Sequence, residues 1–322
     1  MSSDNSTSAT DACASTLAGQ NYNEGLHVGG GFAVLATSSL GAFGTMLLAK
    51  NPSLLLLNVL QLCKMFGIGV IAATAWIHLL PDAFSQFGSP CLPEGWASYG
   101  PNYVGLFGLI AAFIVQLIET GIVVKKSDAN ESHKDHNHHE TAVHEASDAT
   151  VVREQSPIQY SRGDKETSVI LLETGILFHS LIIGITLGVT PDDGFSSLLA
   201  AVCFHQLFEG MALGVLIGNL NFQATTRALL CLLYPLTTPL GIGIGIGVRN
   251  FYNGNSGSLI VTQGIFDSLS AGILFYNTYT ELMSEEISHN TTFYKFQAKF
   301  KAACFFAMYL GAAAMAVVGI WA

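Results

Sequence analysis

A chain of 322 residues that is half hydrophobic and only 11% charged is composed like a helical membrane protein, and its mean hydropathy of +0.45 argues against a soluble globule. Its formal net charge of −10 disfavours a nucleic-acid partner. The six cysteines (Cys13, Cys63, Cys91, Cys203, Cys231, Cys304) form no CxxC pair and no zinc-finger spacing.

In chain order, residues 1–27 are polar, rich in Ser, Thr and Asn, and free of Lys and Arg, which predicts a disordered tail. No basic n-region precedes an apolar run, so the first span is expected to act as its own insertion signal. Apolar windows of about 20 residues, the length that crosses a hydrocarbon core of about 30 Å, then recur eight times. They fall near 28–49, 60–82, 102–124, 168–190, 196–219, 226–248, 258–282 and 300–321. Lys64 is expected to shorten the second of these, and Pro81 to end it. The fold class expected is therefore all-α, a polytopic membrane protein with eight transmembrane helices. Helices 1–3 occupy 28–124 and helices 4–8 occupy 168–322.

Basic residues set the orientation. With the N-terminus outside, twelve of the thirteen lie in inward-facing loops or span ends, and only Arg249 lies outward. Both termini are then outside and the long loop is inside. The Asn5-Ser6-Thr7 sequon is the one expected to carry glycan; those at Asn130 and Asn290 face the cytoplasm and stay silent. Cys13 and Cys91 share the oxidising side, where pairing is open to them.

The stretch 125–167 breaks the apolar pattern. It is too polar to pack a core and is expected to be a disordered cytoplasmic loop. His133, His136, His138, His139 and His144 fall within twelve residues there. Imidazoles and carboxylates at that density bind divalent ions without a fold, as a labile buffer or sensor.

The fourth and fifth spans carry what hydrocarbon rejects. His179 sits near the middle of one; His205, Gln206 and Glu209 sit near the middle of the other. An ionisable group there costs roughly 2.5–3.5 kcal/mol on insertion scales and so marks a partner, a cavity or an ion. His205 and Glu209 are four apart and share a helix face. With His179 they make an N/N/O set suited to Zn²⁺ or another first-row divalent ion. Gln206 and Ser180 adjoin these residues as weaker oxygen ligands or hydrogen-bonding supports. His78 and Asp82, also four apart, stand at the outer end of the second span as entrance ligands or a second site. Glu173 is placed toward the cytoplasmic exit, and Asp192 and Asp193 at the outer mouth. Asp267 and Glu281 are weaker candidates. Gly184 and Gly188, with Gly210, Gly214 and Gly218, are spaced for close helix approach, and Gly241, Gly243, Gly245 and Gly247 thin the sixth span.

At these residues the chain resembles the fungal and plant branch of the ZIP (ZRT/IRT-like) metal transporters. The matching stretches are FHSLIIGITLG at 178–188, FHQLFEGMALG at 204–214, HLLPDAF at 78–84, LTTPLGIGIG at 236–245 and AGILFY at 271–276. The resemblance implies uptake of Zn²⁺, Fe²⁺ or Mn²⁺, with Cd²⁺ as a further substrate, across the plasma membrane to the cytoplasm. The metal passes through a site between the fourth and fifth helices. Some relatives hold a second metal with a glutamate four residues after the fourth-span histidine. That position is Ile183 here, and the often acidic fifth-span position is Gln206, so a single-metal site is expected. The partners implied are divalent ions and the lipid bilayer, with no enzyme activity and no resident cofactor; a homodimer is left open. Two rival readings are an intramembrane metal-dependent hydrolase, disfavoured because HExxH is absent, and a metal receptor that signals through its loop.

Overall fold

The computed structural model describes Cys13 and residues 21–49, 54–135, 162–220, 222–249, 253 and 255–320. Eight helices among these are long and apolar enough to cross a membrane, which establishes the all-α polytopic class. They are α1 (Glu24–Ala49), α2 (Leu54–Ala73, a π-helical segment Thr74–Leu79, then Leu80–Phe87), α3 (Asn102–Asp135) and α4 (Arg162–Val189). After them come α5 (Asp192–Asn219), α6 (Ala224–Val248), α7 (Gly257–Tyr276, continued by π-helix Asn277–Ser288) and α8 (Ala298–Val318). One-turn helices at Glu94–Ala97 and Thr291–Lys295 cover the loops before α3 and α8.

Three expectations need correction. Pro81 does not end α2: the helix passes through it to Phe87. The π segment just before it shifts the hydrogen-bond register by one residue, which accommodates a residue that has no N–H to give. Lys64 does not truncate α2 either, because its ammonium reaches Glu286 of α7 at 2.9 Å, where both side chains are mostly shielded. Finally, α3 runs on to Asp135 and α4 starts at Arg162, so both ends of the 125–167 stretch are helical. Once a membrane helix is nucleated, each added turn costs little, and charged helix formers such as Lys125, Lys126, Glu131 and Lys134 extend it. His133 lies on that extension; His136, His138, His139 and His144 lie outside the described residues.

The helices pack in two sets. In one, α1 lies along α5 and α6, and α4 along α6; in the other, α2 lies along α8, and α7 along α3. The sets meet where α2 crosses α5 and where α7 crosses α4 and the outer part of α2. Glycine makes each principal seam. A Cβ at Gly184 would strike the Thr238 carbonyl and Gly241 of α6, and one at Gly188 would strike Ile242 and Gly245. Gly210 and Gly214 meet the α1 backbone around Ser38 and Ala42; Gly69 meets Met308 of α8, and Gly272 meets Gly108 of α3. In a membrane no hydrophobic force pushes helices together, so close backbone contact supplies much of the attraction. Gly243 and Gly247 have nothing within 4 Å, so only half of the sixth-span glycine run serves packing.

Alternation of the helices gathers residues 21–23, the 88–101 loop, the α4–α5 turn and the end of α6 at one end of the bundle. There Cys13 and Cys91 form a disulfide, and the Cys13 carbonyl accepts from the Asn253 side chain at 3.0 Å.

Candidate metal centre

The two helix sets meet around the residues that the sequence marked. His179 comes from α4, His205 and Glu209 from α5, and one ligand atom from each lies within 4.8 Å of the other two. His205 Nε2 and Glu209 Oε2 are 3.3 Å apart, the i,i+4 spacing placing both on one face. The His179 and His205 rings are 5.5 Å apart between centroids. All three residues are buried, with at most 2% of their surface exposed.

What distinguishes this cluster from a satisfied polar core is its unmet hydrogen bonding. Apart from the 3.3 Å contact between His205 Nε2 and Glu209 Oε2, both ring nitrogens of His179 and of His205, both Glu209 oxygens and the Ser180 hydroxyl are buried without a well-formed hydrogen bond. Buried polar groups are nearly always paired, and each one left unpaired costs about 1–3 kcal/mol. Seven such atoms on three ligands and their neighbour are unstable as a structural core. They fit a desolvated cation, to which two imidazoles and a carboxylate donate lone pairs directly.

The remaining candidates separate by position. Gln206 is not turned to the cluster: its amide nitrogen donates to Thr238 Oγ1, and its Oε1 accepts from the Tyr234 hydroxyl at 2.6 Å. One residue along a helix is a 100° rotation, so Gln206 faces α6 while His205 faces α4 and α2. Its amide thus forms a strut between α5 and α6, the hydrogen-bonding alternative of the two that the sequence offered. Ser180 is fully buried beside His179 with its hydroxyl unengaged.

His78 and Asp82 are not in the three-ligand group. His78 stands edge-on to His205, with centroids 5.1 Å apart, but its Nε2 contacts the Met315 carbonyl of α8 at 3.2 Å. Together with Asp82, Gln86, His179, Gln263 and Asp267 it lines a cavity of about 210 Å³ that opens from the cluster toward the α4–α5 turn. His78 and Asp82 thus line this cavity and stand outside the three-ligand group. Asp267, weak on sequence grounds, is buried in the wall of that cavity. Glu173 is buried on the opposite side of His179, both carboxylate oxygens without partners. Glu281 lines a smaller cavity of about 80 Å³ at the other end, with Lys64, Asn277, Glu285 and Glu286.

Sequence reasoning passed over Thr74, Tyr234 and Thr238. Thr74 opens the π segment of α2 and lies beside Glu209. Tyr234 and Thr238 are four apart on α6, a polar pair in an apolar span, and that spacing was the available signal.

Comparison with known proteins decides the family. The ZIP zinc transporter model matches residues 24–319. The chain belongs to the ZIP family. It is 34% identical over 309 residues to Zinc-regulated transporter 1 of Candida albicans, covering 94% of this chain and 62% of that protein. Zinc transporter 9 of Oryza sativa subsp. japonica is 31% identical, with 90% of this chain and 87% of that protein covered. Fe(2+) transport protein 1 of Arabidopsis thaliana is 29% identical, with coverages of 90% and 84%. ZIP members are divalent-metal transporters and not enzymes, so the hydrolase reading falls away.

Proposed function

We propose that this ZIP chain takes up zinc across the plasma membrane into the cytoplasm through the His179/His205/Glu209 site. The observation that carries this reading is the buried N/N/O cluster, whose polar atoms meet little but one another. Its position at the join of the two helix sets supports it, because sliding there would open the site to one side and then the other. The cavity lined by Asp82 and Asp267 leads to it from the end that the basic residues place outside. A negative wall concentrates cations before they reach the ligands. Ile183 and the engagement of Gln206 with α6 favour one metal at the site.

Iron(II) is the second reading, favoured by the relative named an Fe(2+) transport protein. Two imidazoles and one carboxylate do not separate these ions, because affinities for one ligand set follow the Irving–Williams order whatever the cargo. Uptake of labelled zinc into cells expressing the protein, with Fe²⁺, Mn²⁺ and Cd²⁺ as competitors, tests both. Zinc is expected to accumulate and excess Fe²⁺ to compete weakly. Iron uptake indifferent to zinc would overturn the assignment. In the same cells a tag after Ala322 is expected to be labelled without permeabilisation and one near Thr150 only after it. Labelling of the Thr150 tag on intact cells would invert the orientation.

A further inference from the structure

His27 has no place in the metal path and none in the sequence reading, yet it is the most fully engaged histidine among the described residues. Its side chain is completely buried at the start of α1. Nδ1 lies 2.9 Å from the Asn23 carbonyl oxygen, and Nε2 lies 2.8 Å from the Thr190 carbonyl oxygen at the end of α4. A carbonyl oxygen only accepts. A neutral imidazole has one N–H and one lone pair, so it satisfies one of these oxygens and turns a lone pair on the other. Both contacts are hydrogen bonds only when both nitrogens carry protons.

The surroundings suit a cation. Asp192 Oδ1, in the first turn of α5, is 3.9 Å from Nδ1. Thr190 follows the C-terminus of α4, where the helix dipole favours positive charge. The Tyr22 ring stacks on the imidazole at 4.0 Å, and Phe195 closes the other side at 4.0 Å. The other charged groups here are Glu24, near Tyr22, and Arg249 at the end of α6, whose guanidinium sits 3.9 Å over the outer Tyr22 ring. Burial, the largest influence on Tyr22, pushes its hydroxyl above the usual value and keeps it a donor to the Gly188 carbonyl at 2.6 Å. Asn23 N–H donates to Asp192 Oδ1 at 2.9 Å, and Asp192 N–H donates to the Asn21 carbonyl at 3.1 Å.

We infer that His27 is held as an imidazolium and is a positioning residue for transport, its charge tying the start of α1 to the turn that joins the two ligand-bearing helices. The two protons bridge the Asn23 and Thr190 carbonyls, and Asp192 balances the charge. Because α4 and α5 carry His179, His205 and Glu209, the separation of their outer ends fixes the ligand set. Loss of the ring proton sets a lone pair against a carbonyl oxygen and loosens that tie.

The test compares His27→Arg, which keeps charge and donors, with His27→Gln, which keeps polarity alone. Uptake at pH 6 is divided by surface abundance and then by the wild-type value. This arm rests on the transport reading. At pH 6, H27R is expected to retain at least half of wild-type uptake and H27Q to fall at least fivefold. H27Q equal to wild type at pH 6, or H27R as impaired as H27Q, would refute the role of charge in positioning. Nitrogen NMR of histidine-labelled full-length protein in nanodiscs is independent of cargo. The His27 signals, assigned by their disappearance in either variant, should show both ring nitrogens protonated at pH 6; one bare nitrogen at that pH defeats the inference outright.

Discussion

Glu209→Gln is expected to abolish uptake at normal surface abundance. Glu209 is the only carboxylate in the three-ligand cluster, so it supplies the charge that offsets a desolvated divalent ion. Glutamine keeps the shape and one carbonyl oxygen but removes that charge. Two unit charges about 4 Å apart at an effective dielectric near 20 interact by roughly 4 kcal/mol, and a divalent ion doubles the raw figure before desolvation. If about a third of that survives, occupancy at low metal falls about a hundredfold. His179→Ala and His205→Ala each remove a ligand and should act likewise. Ser180→Ala removes one unengaged hydroxyl and should cost on the order of 1 kcal/mol at most. Surface-normalised uptake at low micromolar metal ranks the four. Near-normal transport by E209Q with S180A as the severe variant would put the site on another face of α5.

The second large effect is structural. Gly184→Ala places a Cβ against the Thr238 carbonyl and the Gly241 Cα at the centre of the α4–α6 seam. Backbone cannot rotate aside as a side chain does, so the helices must separate, at a cost of about 1–3 kcal/mol. The same shift disturbs Thr238, which accepts from Gln206, and through it the strut holding α5. G184A should lower the apparent melting temperature of the purified protein and reduce uptake together. Gly243→Ala, two residues from Gly241 with open space around it, is the control and should leave both unchanged. Equal melting temperatures for G184A and wild type would show that the seam has slack the structure does not reveal.

Much of this was legible in the chain. Eight spans follow from composition and length, because a bilayer demands about 20 apolar residues whatever surrounds them. The buried cluster of His179, His205 and Glu209 was legible for the converse reason. An ionisable group in the middle of such a stretch is anomalous residue by residue, and the i,i+4 pairing of His205 with Glu209 is a property of one helix. His179 joins them across a turn of few residues, which leaves adjacent antiparallel helices little freedom. Only the tertiary structure decided what depends on a neighbour. Gln206 and His205 are adjacent in sequence and equally polar; it took the place of α6 to make one a strut and leave the other in the cluster with His179 and Glu209. Lys64 looked like a defect in α2 until α7 brought Glu286 to it. Pro81 looked like a stop until the π segment before it absorbed the missing donor. His78 and His179 are both buried histidines on apolar helices that line one cavity, and only the tertiary structure shows that His78 turns to the Met315 carbonyl of α8 while His179 joins the cluster with His205 and Glu209. The disulfide and His27 are the far end of the same rule. Their partners stand 78 and 163 residues away, and a sequence contains no distance between segments until packing supplies one.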